Sequence, residues 1–68
     1  MNVSMVEEAL VGAKGMYESG AISKEEFLEI LRGFQAEDMI AESAEEMAKK
    51  EELNTYIVSA INIVSAVA

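Results

Sequence analysis

The stretch "ESGAISKEEFLEIL", residues 18–31, places a helix stop directly before a helix start. Gly20 suits the left-handed position past a helix end, and Ile22 is available to pack back on the preceding turn. Ser23 followed by Glu26 has the pattern of a capping box, which opens a second helix. Because the connection is so short, we expect the two helices to lie side by side as a helical hairpin.

A first helix is predicted over residues 5–19, with Ser4 and Glu7 as its capping box. Its apolar residues recur every three or four positions, which produces one buried face. Gly12 and Gly15 weaken this helix, so unless they are neutral they permit a close helix approach or a bend. The apolar face holds Val6, Ala9 or Leu10, Ala13, and Met16 or Tyr17.

The second helix completes the hairpin, which is predicted to occupy residues 5–34, and a break is expected between residues 33 and 37. An acidic third helix is predicted over residues 36–52. It contains two Glu-before-Lys pairs at a spacing that favours ion pairs on the solvent side. The pairs are Glu45 with Lys49 and Glu46 with Lys50, and the other side holds Met39, Ile40, Ser43, Ala44 and Met47.

Residues 53–68 contain no charged side chain and repeat the tetrapeptide IVSA at residues 57–60 and 63–66. In a strand, the two copies would present the same residues to the same side, because they are an even number of residues apart. The many β-branched residues also suit a strand. A helix is favoured, because its small polar residues would then form one narrow stripe with apolar residues around the rest. The pattern leaves open whether residues 50–55 continue the helix or form a turn. The polar stripe holds Thr55, Ser59, Asn62 and Ser65.

The chain is therefore predicted to be one small all-α domain, residues 1–68, in which a helical hairpin is followed by a third acidic helix and an apolar C-terminal helix over residues 53–68. A domain of this size has marginal stability by itself and usually needs support. Cysteine and histidine are both absent, which excludes disulfides and thiolate or imidazole metal sites. Oligomerisation or a partner surface remains as the expected support.

The formal net charge is −8, of which residues 1–22 carry −2 and residues 23–52 carry −6. This charge argues against direct nucleic-acid binding and favours a basic partner. The apolar tail is shorter than the roughly 20 residues that span a bilayer, and it has no basic anchors, so no membrane association is predicted. No basic region precedes an apolar run at the start, so the predicted location is the cytoplasm, a virion or another assembly.

The segment "GAISKEEF", residues 20–27, resembles the second half of an EF-hand calcium loop. The resemblance rests on Gly20, Ile22 and Glu26. The first and third liganding positions would be Gly15 and Tyr17, neither of which offers a carboxylate. Because calcium needs six or more oxygens, several of them anionic, no metal site is predicted here.

The segment "LVGAKGMYESGAISKEEFLEILRGF", residues 10–34, is similar to the SHOCT family of short bacterial and phage helical hairpins. Members share an apolar first helix followed by Gly, Ile or Leu, Ser or Thr, acids and Phe. This chain departs from the pattern at Ile30 and Leu31, where a more polar helix with a lysine is expected. The resemblance implies an accessory oligomerisation or interaction module, and it carries no catalytic residue.

The sequence offers no nucleophile–base pair, phosphate loop or cofactor motif, and its clustered carboxylates are typical of a solvated helix face. We therefore predict a non-enzymatic, acidic helical interaction protein without a cofactor, which serves as a subunit or accessory factor of a larger assembly, with a phage or virus as a candidate source. It binds a protein partner or a second copy of itself through its apolar C-terminal helix. The residues predicted to bind the partner are Met39, Met47, Tyr56, Ile57, Ile61, Val64 and Val67.

A second hypothesis comes from the acidic middle of the chain. In it, the protein is an inhibitor or nucleic-acid mimic, whose carboxylates from Glu37 to Glu52 occupy a basic site on a host protein.

Overall fold

The structure is a computed structural model that describes residues 1–67. It consists of three helices, α1 (Val3–Glu18), α2 (Lys24–Ala36) and α3 (Ala44–Ala66). Within the described residues there is no strand, and one isolated backbone bridge joins Asn2 to Ile40. The all-α prediction is confirmed.

The turn between α1 and α2 is a Schellman motif. Gly20 has φ +83°, the left-handed conformation that glycine adopts without a steric penalty. The Ala21 N–H donates to the Met16 carbonyl at 2.8 Å, and the Gly20 N–H donates to the Tyr17 carbonyl at 3.1 Å. Ile22 is half-buried and packs against the core. The predicted helix stop is therefore correct.

The start of α2 is closed by the predicted capping box. The Ser23 hydroxyl accepts from the Glu26 backbone N–H at 3.1 Å, and a Glu26 carboxylate oxygen accepts from the Ser23 backbone N–H at 3.0 Å. That backbone hydrogen bond, with the Ser23 hydroxyl as a second contribution, holds the pKa of Glu26 below its ordinary value. Glu26, one of the residues on which the EF-hand resemblance rests, thus uses its carboxylate in a hydrogen bond within the cap.

The predicted capping box at the start of α1 is wrong. The helix begins two residues earlier than expected because Asn2 is its N-cap, and the Asn2 side chain accepts from the Met5 N–H at 2.9 Å. Ser4 consequently lies within the first turn of the helix. Both residue types are good caps, and the start at Asn2 puts Val3, which is buried, in the first turn of the helix.

The expected break near Gly33 is also displaced. Helix α2 continues through Gly33 to Ala36, and the non-helical link occupies residues 37–43. Packing of Phe34 against the core outweighs the weak helix propensity of glycine. In this link Met39 is buried, and the Ile40 N–H donates to the Met1 carbonyl at 3.1 Å, which ties the link to the start of the chain.

A single helix, α3, replaces the separate helices predicted over residues 36–52 and 53–68. It begins after Ser43, whose hydroxyl accepts from the Glu46 N–H at 3.1 Å. Residues 50–55 are continuous helix, because they contain no glycine or proline and Leu53 is anchored in the core.

The lysines of α3 do not pair with the glutamates four residues before them, and each contacts an acidic residue of another segment. Lys49 lies 3.1 Å from Glu7 of α1, and Lys50 lies 4.0 Å from Asp38 of the link. At the opposite end of α3, the Lys24 ammonium donates to the Val67 carbonyl. A cation at this position stabilises helix α3, because the C-terminal end of the helix dipole is negative.

These contacts define the arrangement. The Glu7–Lys49 pair joins the N-terminal halves of α1 and α3, so the two helices run in the same direction, and α2 returns antiparallel to both. No polar or charged side chain is buried among residues 1–67. The core consists of Val3, Val6, Leu10, Ala13, Phe27, Leu28, Leu31, Met39, Leu53, Ile57 and Val64.

Replacing glycine by alanine should have opposite effects on stability at different positions of the hairpin. A Cβ at Gly12, Gly15 or Gly20 would have no neighbour within 4 Å, so only backbone conformation matters. Gly12→Ala and Gly15→Ala should each raise the free energy of unfolding by up to about 1 kcal/mol. Gly20→Ala should lower it by about 1–2 kcal/mol, because alanine is strained at positive φ. Urea unfolding followed by circular dichroism measures all three, and equal effects at Gly12 and Gly20 would contradict the assigned turn.

The capping box predicts a specific dependence of stability on pH. Because the folded-state pKa of Glu26 is lowered, its contribution is complete above the unfolded-state value and is lost as the pH falls through the folded-state value. Glu26→Gln keeps an acceptor oxygen and does not titrate, so the stability advantage of the wild type over this variant should shrink between about pH 7 and about pH 3. Chemical unfolding across this range checks the prediction, and a constant difference would show that the cap carries no charge effect.

Candidate functional site

The side of the molecule between α1 and α3 is less closely packed than the side between α2 and α3. At one end the two helices are joined by Lys49, which contacts Glu7 at 3.1 Å and Glu52 at 3.8 Å. Beyond this ion pair a groove runs along the helices in two adjoining depressions of about 230 and 270 Å³, which share Lys14 and Tyr56 as lining residues. We call this feature the α1–α3 groove.

The groove is lined mainly by apolar side chains that continue outward from the core. Tyr17 of α1 stacks on Phe27 of α2, with ring centroids 4.6 Å apart and planes inclined by 9°. This aromatic pair gives the groove a rigid surface beneath its wider end. The apolar lining consists of Leu10, Val11, Tyr17, Phe27, Leu53, Tyr56, Ala60, Ile63 and Val64.

Two apolar residues of the groove are exposed far more than the rest. Val11 of α1 and Ile63 of α3 are each 66% exposed, the highest values among the large hydrophobic residues that the structure describes. An isolated exposed hydrophobic residue is ordinary, whereas one that adjoins a larger apolar surface marks a possible interaction site. Val11 lies in the first depression and Ile63 in the second, so the groove is exposed along its whole length.

Charged groups line the groove at both ends and in its middle, where Lys14 adjoins both depressions. Three carboxylates and two ammonium groups line it, which leaves a local charge of −1. The hydrogen bond with Glu7, followed by the negative charges of Glu52 and Glu7, raises the pKa of Lys49 above its ordinary value. Lys49 is thus held as a cation between two carboxylates. The charged lining residues are Glu7, Lys14, Glu18, Lys49 and Glu52.

The residues predicted to bind a partner do not form one surface. Met39, Ile57 and Val64 belong to the core, and Ile61 packs partly buried against it. The ridge of Ile57, Ile61 and Val64 therefore faces the chain's own hairpin, because α1 and α2 cover that side of α3. Met39 is neither on a helix nor exposed, since it fills the space beneath the link.

The remaining predicted residues lie at three separate places. Tyr56 is half-buried and lines both depressions of the groove, where Val64 joins it at the wider end. Met47 is exposed beside Ala41 of the link, outside the groove. Val67 is exposed after the end of α3.

Sequence reasoning missed Val11 and Ile63. Val11 follows Leu10 directly, so it is an apolar residue off the predicted buried face of α1, and this mismatch was the available signal. Ile63 had no such signal, because apolar residues occur on nearly every side of the tail. Which of them is exposed depends on where α1 and α2 pack.

The segment that resembles an EF-hand loop has a different structure. Gly15 and Tyr17, the would-be first and third liganding positions, are inside α1, and the Tyr17 ring is stacked on Phe27. In residues 1–67 no group of three or more acidic side chains is placed so that it could hold a metal ion.

The acidic middle of the chain does not form one helical face. Glu37, Asp38 and Glu42 belong to the link, whereas Glu45 and the later acids belong to α3.

Within the described part of the chain, no helix combines the length and the apolar character needed to cross a bilayer.

Comparison of the chain with protein-family models, with curated proteins and with solved structures found no match.

Proposed function

We propose that this chain is a non-enzymatic helical interaction protein, a subunit or accessory factor of a larger assembly, and that it binds its protein partner in the α1–α3 groove. One observation carries the proposal: the two most exposed large hydrophobic residues, Val11 and Ile63, adjoin an apolar groove that continues into the core. The predicted apolar C-terminal helix keeps a part in this function, because it supplies one wall of the groove.

The hydrophobic effect provides the driving force for binding. Full burial of an exposed Val or Ile side chain stabilises a complex by about 1.5–3 kcal/mol. The Tyr56 side chain adds apolar area with a polar tip, a combination that is enriched at protein interfaces. A partner seated between α1 and α3 covers all three side chains at once, since Tyr56 lines both depressions.

The groove is also suited to binding one specific partner rather than any apolar surface. Its apolar floor lies among ionic groups: Glu7, Lys49 and Glu52 at one end, Lys14 where the two depressions meet, and Glu18 at the other end. Charged groups at the border of an apolar surface fix the orientation of a partner and disfavour wrong partners. The stacked Tyr17–Phe27 pair keeps the floor rigid, which reduces the entropy lost on binding.

Site-specific photo-crosslinking in the source cell tests the proposal. A benzophenone amino acid at position 63 should give discrete adducts with a protein partner, because this position lies in the groove. The matched control is position 58, where Val58 is 44% exposed on the same helix and does not line the groove. Adducts that require position 63 are the expected result. The same adducts from position 58, or none from position 63, would contradict the proposed site.

A further inference from the structure

We infer that the α1–α3 groove takes an amphipathic helix whose apolar face is bordered by Lys or Arg. This inference rests on the proposed function and names the chemical class of the partner. Three features lead to it: the helical walls of the groove, the length of the groove and the charge of the whole chain.

The walls of the groove favour a helical partner over an extended one. Both walls are helices, α1 and α3, whose backbone groups are hydrogen-bonded within each helix away from the ends. An extended peptide placed between them would lose water from its own N–H and C=O groups without gaining partners for them. A helix satisfies its own backbone and presents only side chains, so it suits a groove lined by side chains.

The length of the groove sets the length of the partner. Its lining extends along α3 from Lys49 to Val64, a rise of about 22 Å at about 1.5 Å per residue. A helix of about 14 residues, or four turns, has the same length. Such a helix would occupy the vacant fourth position beside three helices, which is the packing of a four-helix bundle.

The charge of the chain decides between a basic partner and a second copy. Each copy carries −8, so joining two copies through this groove brings like charges together. Within the groove, Glu7 and Glu52 share Lys49 at one end, Lys14 lies where the two depressions meet, and Glu18 lies at the other end. Lys or Arg near the two ends of a partner's apolar face therefore meets carboxylates, and the net charge of −8 attracts a basic partner to the chain.

The test uses the full chain and synthetic peptides of about 14 residues, the length of the groove. One peptide places Leu on one helical face and Lys on the other. A second has the same composition in scrambled order without an apolar face, and a third replaces every Lys by Glu. The Leu/Lys peptide should bind at least about tenfold more tightly than either control in fluorescence anisotropy, with weaker binding at higher salt.

Variants of the protein locate the binding. Val11→Gln and Ile63→Gln should each lower the affinity for the Leu/Lys peptide by about tenfold, because each removes apolar burial at the interface. Val58→Gln, on the same helix outside the groove, should leave the affinity unchanged. Circular dichroism confirms that all three variants fold. Equal binding of the scrambled peptide, or equal weakening by Val58→Gln, would overturn the inference.

The failure of this inference is distinguishable from failure of the proposed function. If position 63 crosslinks a cellular protein while the Leu/Lys peptide does not bind, the groove is a binding site for a partner of other chemistry. If sedimentation shows a dimer that Ile63→Gln dissociates, the occupant is a second copy. Either result overturns the basic-helix assignment and leaves the groove as the interaction surface.

Discussion

The structure depends on one constraint: a 23-residue helix is packed against only two shorter ones. Helix α3 is apolar on several sides along its C-terminal half, as Ile57, Val58, Ile61 and Ile63 point in different directions and differ widely in burial. Helices α1 and α2 can cover two of those sides. Of the apolar residues that they leave exposed, Ile63 borders the α1–α3 groove, whereas Val58 lies outside it. The proposed interaction surface therefore follows from the small number of helices that cover α3.

Local and long-range contacts then decide which side stays uncovered. The Schellman turn at Gly20 holds α1 and α2 together as a hairpin, and the Lys24 side chain anchors the start of α2 to the end of α3. At the other end, the hydrogen bond between Ile40 and Met1 ties the link to α1. Helix α3 therefore packs mainly against α2, and the Glu7–Lys49 ion pair joins it to α1.

The hairpin could be predicted because its signals are local: Gly20 and the capping box at Ser23 act within one turn of chain. The link could not, because the burial of Met39 depends on residues far away in sequence. The residues that line the α1–α3 groove were hardest to predict, since an apolar side chain such as Ile57 suits a core and an interface equally well. Only the packing of the hairpin against α3 separates buried Ile57 from exposed Ile63.

The proposed function requires that the α1–α3 groove is uncovered in the free protein. Methyl NMR with a soluble paramagnetic agent measures this directly at a concentration where sedimentation shows a monomer. We expect strong relaxation of the Val11 and Ile63 methyl groups, which are exposed, and little effect on those of Val6 and Ile57, which are fully buried. Protection of Ile63 equal to that of Ile57 would mean that the chain covers its own groove and leaves no room there for a partner.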